Sequence, residues 1–262
     1  MSSISQKNIA IVGVGGIGTY ILRALVNTNQ ANVIALTRST LVHPRHHHFL
    51  HLPSHENQQP VPHKTLPPDL SSVPLIEADY TSVPALTAIF KKHNTEIVIS
   101  TVPTTGLHAQ YTLADAAKAS GTVQLFVPSE WGLPTAGANH RGEDNHFGTK
   151  DAFVGFVAHV LTTLPSSSPH LKNRCLRLQG DRITMRDLAR IYHKPFELVP
   201  EGDEVPAKTP EEAAVKTFMQ IEADAGMAST GWDRLNEKER GDAGSANQLW
   251  EGHVWKRVED SL

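Results

Sequence analysis

The chain of 262 residues has a single cysteine and few aromatic residues, and it has no long apolar run. Because Cys175 has no second cysteine to pair with, the fold cannot depend on an internal disulfide or on an oxidising compartment. No apolar run approaches the roughly 20 residues that span a bilayer. The N-terminal stretch "MSSISQKN" lacks the basic start and apolar core of a signal peptide. We therefore expect a cytoplasmic protein without a membrane partner.

The charge balance also lacks a strong excess of either sign. Lysine and arginine number 24 against 27 aspartate and glutamate residues, which gives a formal charge of −3. A chain this close to neutral is not expected to bind nucleic acid directly. Its hydrophobic content of 39% is typical of a globular protein, and its length fits one large α/β domain or a domain with a smaller appendage.

Strand and helix patterns alternate through the first 164 residues. Predicted strands are 8–13, 31–38, 73–80, 95–103 and 122–132, and predicted helices are 20–28, 83–93, 109–121 and 149–164. Because the strands are continuous apolar runs separated by helices, they predict a parallel sheet covered on both faces. Further along, we predict short strands at 174–180 and 195–200 and helices at 184–193 and 209–226. The C-terminal segment carries two tryptophans, which predicts that it docks on the body of the protein.

The first predicted strand ends in a glycine turn, "GVGGIG". Gly13, Gly15 and Gly18 fit the G-x-G-x-x-G pattern between a strand and a helix, which is typical of dinucleotide sites. In that interpretation Gly13 permits the tight turn, Gly15 and Gly16 let the backbone approach a pyrophosphate, and Gly18 allows close helix packing. Ile17 belongs to the same cofactor-binding turn. The alternative is a glycine-rich turn that serves tight packing alone.

The end of the second predicted strand favours NADP over NAD. An NAD site normally has Asp or Glu there, whereas this chain has Thr37 and Arg38. A guanidinium suits a 2′-phosphate, and the alternative is that Arg38 only solvates the end of the strand. At the end of the fourth strand, Thr101 and Val102 are placed to flank the adenosine or pyrophosphate. Asp79 is either a residue near the adenine or an ordinary exposed acid.

Four segments together resemble the NmrA-like and isoflavone-reductase-like family, a group of atypical short-chain dehydrogenases. They are "IAIVGVGGIG", "IVISTV", "LFVPSEWG" and the lysine of "GTK". The most specific is "FVPSEWG", which has Trp131 where the family has phenylalanine. The resemblance covers residues 8 to about 163. It implies a Rossmann-type fold with NADP(H) as cofactor and a small organic substrate, such as a secondary metabolite, beside the nicotinamide.

The resemblance also implies that Lys150 is the catalytic acid/base, while a surface lysine at a helix start is the alternative. The Tyr-x-x-x-Lys motif of common dehydrogenases is absent. Relatives have further sheet and substrate-loop residues after this lysine, whereas here "TKDAF" runs directly into "VGFVAHVLTTLP". We therefore expect a reduced C-terminal substrate region, with domains at 1–148 and 149–262. A non-catalytic NADP-sensing regulator with a protein partner, or an inactive shortened homologue, are the alternatives to a reductase.

Three other groups of residues are less specific. Histidines cluster in the polar segment 41–72, but their irregular spacing predicts a solvated loop and no metal site. Ser129 and Glu130 lack the G-x-S-x-G elbow of a hydrolase, and by resemblance they shape the pocket wall. Trp131 either stacks on a substrate or lies in the core. The clustered histidines of segment 41–72 are His43, His46, His47, His48, His51, His55 and His63.

Overall fold

The computed structural model describes residues 6–38, 65–103, 106, 108–132, 150–200 and 202–261. Its contacts divide the chain into two units. The first comprises Met1–Ser129 with Leu164–Ser167, and the second comprises Glu130–Thr163 with Ser168–Leu262. The predicted domain boundary at 148/149 lies outside the described residues and stays a prediction, as does the reduced substrate region. The histidines of 43–63 also lie outside them.

A five-stranded parallel sheet forms the centre of the first unit. Its strands are β1 (Lys7–Val12), β2 (Ala31–Arg38), β3 (Leu75–Ala78), β4 (Ile97–Ser100) and β5 (Leu125–Val127). Their order is β3-β2-β1-β4-β5, and every neighbouring pair is parallel. This is the strand order of a doubly wound Rossmann sheet, so the predicted fold class is confirmed.

The sheet core follows from the continuous apolar strands. Val12 and Val98 are fully buried on the two central strands. They pack in one cluster with Phe90 of α2 (Val83–Lys92) and Leu113 of α3 (Ala109–Ser120). A further helix of the unit, α1 (Gly16–Asn27), buries Ile21, Leu22 and Leu25. A central strand buried on both faces has no polar side, which explains why its sequence does not alternate.

Local signals fix the helix ends of the first unit. Ser82 caps α2, with its Oγ accepting a hydrogen bond from the Ala85 N–H at 3.3 Å. Gly121 ends α3 with φ 71°, a left-handed conformation that favours glycine. Because α1 follows β1 and α3 follows β4, the connections into these two helices leave from the carboxyl edge of the parallel sheet.

In its described part, the second unit joins helices and a hairpin through long irregular segments. It contains α4 (Lys150–Thr163), α5 (Met185–Ile191), α6 (Pro210–Asp224) and a short hairpin of β6 (Trp232–Asp233) with β7 (Lys238–Glu239). Thr184 and Asp187 form a capping box on α5, and Thr209 caps α6, which confirms both predicted helices. None of the described helices is long and apolar enough to cross a membrane.

The strands predicted at 174–180 and 195–200 are wrong, because both segments are irregular. In the first, backbone groups bond to loops: the Leu178 carbonyl accepts from the Thr230 Oγ1 at 3.0 Å, and the Gln179 N–H donates to the Asn247 Oδ1 at 3.2 Å. In the second, Leu198 is 71% exposed, so its apolar residues do not enter a sheet. A short apolar run forms a strand only where a neighbouring strand is available to pair with it.

The C-terminal tryptophans dock as predicted. The Trp250 ring stacks on His159 of α4, with ring centroids 5.2 Å apart, and on His253 at 3.7 Å. Trp255 lies 6.1 Å from the ring of Phe156, also on α4. The segment is therefore ordered by aromatic packing on this helix.

Candidate functional site

The candidate site is the glycine turn between β1 and α1, at the carboxyl edge of the sheet. β1 lies between β2 and β4 in the sheet, and α1 crosses to β2 while the chain reaches β4 on the other side. This reversal of winding is the topological switch point, where open α/β sheets bind ligands.

Two glycines of the turn are packed against the protein. Gly13 has φ 91°, and a Cβ placed there would lie 3.0 Å from the carbonyl oxygen of Thr101. A Cβ at Gly18 would overlap the Gly13 carbonyl oxygen and lie 2.5 Å from the Thr101 Oγ1. Gly13 therefore meets a conformational need, and Gly18 permits the close approach of α1 to the strand edge.

The other two glycines are open to solvent. A Cβ at Gly15 or Gly16 would meet no heavy atom within 4 Å, and both residues are exposed. Gly15 is the N-cap of α1 and makes no side-chain cap, and the first turn carries no acidic residue. The backbone at the positive end of the helix dipole is thus exposed to solvent at Gly15 and Gly16, and such a helix N-terminus can bind a phosphate. Ile17, half-buried, follows in the first turn.

Arg38 stands at the end of β2 with its side chain exposed, whereas Thr37 before it is buried. The Arg38 Nη2 lies 3.6 Å from the position of a Cβ on Gly106, in the loop that follows β4. The guanidinium is therefore at the same edge of the sheet as the glycine turn. Only Arg38 of this pair offers its side chain to a ligand.

Thr101 and Val102 make contacts within the fold, and their predicted place beside a cofactor stays a prediction. The Thr101 Oγ1 donates towards the carbonyl oxygens of Gly13 and Val12, the latter at 3.1 Å. Val102 is 3% exposed and belongs to the core cluster, and its carbonyl accepts a hydrogen bond from the Ser129 Oγ at 2.9 Å. The Ser129 hydroxyl is thus engaged within the fold. The described contacts place the Val102 side chain in the core.

Asp79 is also committed locally, because its Oδ1 accepts from the Thr81 N–H at 2.8 Å and from the Thr81 hydroxyl at 2.6 Å. The residue after it, Tyr80, is one that sequence reasoning missed. Tyr80 is 6% exposed, and its hydroxyl donates to the Leu36 carbonyl at 2.8 Å. Burial raises the pKa of Tyr80, since a phenolate there would lose its hydration.

In the second unit, Lys150 is the first residue of α4. Its side chain lies outside the described residues, so its catalytic role stays a prediction. Trp131 packs edge-to-face on Phe153 of the same helix, with ring centroids 5.6 Å apart. Among the described side chains, no group of three or more His, Cys, Asp or Glu is arranged to hold a metal.

Solved structures with this fold include two that align over almost the whole chain. One is AtPrR2 with NADP+ and (+)pinoresinol, with 15% identity, a TM-score of 0.64 and 98% of both chains covered. The other is isoflavone reductase, with 15% identity, a TM-score of 0.57, and 98% of this chain and 99% of that chain covered. At this identity the likeness concerns the fold.

A curated relative is Oxidoreductase swnN of Metarhizium robertsii, 28% identical over 122 residues. The match covers 45% of this chain and 29% of the relative, so the chain spans under a third of the protein it matches. The family model described as NmrA-like family matches residues 5–154, which contain the whole glycine turn and all five strands of the sheet. The chain therefore belongs to the NmrA-like family.

Proposed function

We propose that the glycine turn binds the pyrophosphate of NADP(H). The observation that carries the proposal is the contrast within the turn. Packing requires glycine at positions 13 and 18. At Gly15 and Gly16, by contrast, the described part of the protein has room for a side chain, so packing does not require glycine there. An open backbone at the N-terminus of a helix suits a phosphate that approaches closely.

Arg38 supports NADP(H) rather than NAD(H) as the ligand. The 2′-phosphate of NADP is a dianion, and a guanidinium pairs with it through two parallel hydrogen bonds. Arg38 is exposed at the end of β2, the strand whose end normally lies beside the adenosine ribose. The solved AtPrR2 structure, whose fold this chain shares, contains NADP+.

The reaction we propose is reduction of a small organic compound, with the chain acting as an oxidoreductase of the isoflavone-reductase-like kind. The bound nicotinamide would supply the hydride. Lys150 would hold or deliver a proton at the reacting oxygen of the substrate, because an ammonium is a donor whose pKa falls on desolvation. The assignment of Lys150 rests on its place after the "FVPSEWG" motif.

Calorimetric titration with NADPH and NADH tests the cofactor proposal. The parent protein should bind NADPH more tightly than NADH, and Arg38→Ala should lose that preference. The matched control is Lys118→Ala, which removes one exposed positive charge near the end of α3, at the opposite edge of the sheet. Absence of binding to either nucleotide by the parent would refute the proposal.

Turnover separates a reductase from a dinucleotide-sensing regulator. NADPH oxidation is followed with pinoresinol and a panel of small aromatic carbonyl compounds as substrates. Lys150→Met should abolish oxidation and leave the NADPH affinity unchanged, whereas Lys118→Met should change neither. Tight NADPH binding by the parent without oxidation of any compound would favour the regulator.

A further inference from the structure

The backbone N–H and the backbone carbonyl of Gly13 are both hydrogen-bonded, one to β2 and the other to the residue that follows β4. Its N–H donates to the Leu36 carbonyl of β2 at 3.0 Å. Its carbonyl oxygen accepts from the Thr101 hydroxyl, just after β4. The Thr101 N–H in turn donates to the Val12 carbonyl at 2.8 Å, which fixes Thr101 to the end of β1. The first residue of the turn is thus tied to both strands that flank β1.

Tyr80 reinforces the β2 side of this arrangement. Its hydroxyl and the Gly13 N–H donate to the same carbonyl oxygen, that of Leu36, at 2.8 and 3.0 Å. A phenol is protonated throughout the neutral range, and burial raises the pKa of Tyr80 further, so its hydroxyl remains a donor. Tyr80 therefore holds the acceptor to which the turn is bonded.

The helix that follows the turn, α1, packs closely against the same atoms. A Cβ at Gly18 would overlap the Gly13 carbonyl oxygen and approach the Thr101 Oγ1 to 2.5 Å. A change in the orientation of the Gly13 peptide would consequently move the first turn of α1. That turn begins with the exposed Gly16, directly after the exposed N-cap Gly15.

We propose that Thr101 is a positioning residue for the dinucleotide. Its counterpart is Tyr80, which follows β3 and donates to the Leu36 carbonyl of β2. The Thr101 hydroxyl faces inward to the Gly13 carbonyl, and it acts on the ligand by fixing the direction of the N–H groups that meet the pyrophosphate. This inference rests on the proposed binding of NADP(H). It assigns a role to two hydroxyls that touch the turn and need not touch the ligand.

The test compares Thr101→Val with Thr101→Ser. Valine keeps the branched shape and removes the hydroxyl, whereas serine keeps the hydroxyl. Two ligands are titrated: NADPH, and adenosine 2′-monophosphate, which has the 2′-phosphate but no pyrophosphate. We expect Thr101→Val to bind NADPH about three- to tenfold more weakly, as loss of one hydrogen bond implies. Thr101→Ser should stay within about twofold of the parent, and adenosine 2′-monophosphate should bind all three proteins alike.

Two results would overturn the inference while leaving the proposed function intact. One is unchanged NADPH affinity in Thr101→Val. The other is equal weakening of both ligands with a lower melting temperature, which would show that Thr101 only stabilises the fold. If the parent itself does not bind NADPH, the proposed function fails as well. Should Thr101→Val not fold, Tyr80→Phe removes the second donor with little change in volume, and the same two ligands decide the outcome.

Discussion

Replacing Gly16 by alanine tests the site with the least disturbance of the fold. A Cβ at this position meets no heavy atom within 4 Å, and Gly16 is the first residue of α1. Alanine is favoured over glycine in helices by up to about 1 kcal/mol, so the melting temperature should stay constant or rise by at most about 4 °C. The same methyl group would occupy the space into which the pyrophosphate must come.

The expected loss of NADPH affinity follows from the hydrogen bonds involved. A hydrogen bond from a backbone N–H to a charged group contributes about 1.5–3 kcal/mol, so the loss of one corresponds to about 10- to 150-fold weaker binding. Isothermal titration calorimetry and thermal denaturation on the same sample measure both quantities.

Gly18→Ala is the matched contrast. Its Cβ would overlap the Gly13 carbonyl oxygen and lie 2.5 Å from the Thr101 Oγ1, so the backbone of α1 must move. We expect it to lose about 1–3 kcal/mol of stability, as overpacked cores do, together with NADPH binding. For Gly16→Ala, NADPH affinity equal to that of the parent protein would show that the exposed glycines do not bind the pyrophosphate, which would refute the proposed site.

Three further predictions concern the second unit. Gly155→Ala would place a Cβ 2.8 Å from the Trp250 ring. Overpacking costs about 1–3 kcal/mol and the helix propensity of alanine returns up to about 1 kcal/mol, so the melting temperature should fall and the tryptophan fluorescence should change. Thr184→Ala should cost about 1 kcal/mol by removing the capping box with Asp187, and Thr184→Ser should restore it; chemical denaturation measures both. Burial holds the pKa of His159 below its ordinary value of 6.5. Because the unfolded chain then binds the proton more readily, the free energy of unfolding should fall as the pH drops below about 6.5. In melting curves between pH 5.5 and 7.5, His159→Asn should flatten this pH dependence. An unchanged slope in the variant would contradict the assignment.

Elements with strong local signals were predictable from the sequence. β2 spans Ala31–Arg38, the bounds that its continuous apolar run predicts. α6 begins after Thr209 with Pro210 at its first position, as the capping pattern indicates. The segments 174–180 and 195–200 were mispredicted, and the hairpin of β6 and β7 was missed. In such short segments the choice between strand and loop depends on distant partners, as the bond from Thr230 to the Leu178 carbonyl illustrates.

The candidate site also has features that were predictable from the sequence and features that were not. The spacing of Gly13, Gly15 and Gly18 after a strand predicted a dinucleotide turn, and the end of β2 predicted which nucleotide. The sequence also predicted Thr101 at the site, as a residue that contacts the ligand. Its hydrogen bond to the Gly13 carbonyl is seen only in the structure. Nothing in "EADY" marked Tyr80 as part of the turn, because its role depends on the Leu36 carbonyl, 44 residues away in the chain.

The sequence alone thus determined the alternation of strands and helices, the parallel sheet and the glycine turn at its edge. These follow from apolar periodicity and from backbone conformations that only certain residues adopt, both of which are local properties of the chain. The tertiary structure decided which glycines are packed and which are open, and which hydroxyls hold the turn. Those properties depend on strand order, since β2 and β4 reach the turn only because they lie on either side of β1 in the sheet.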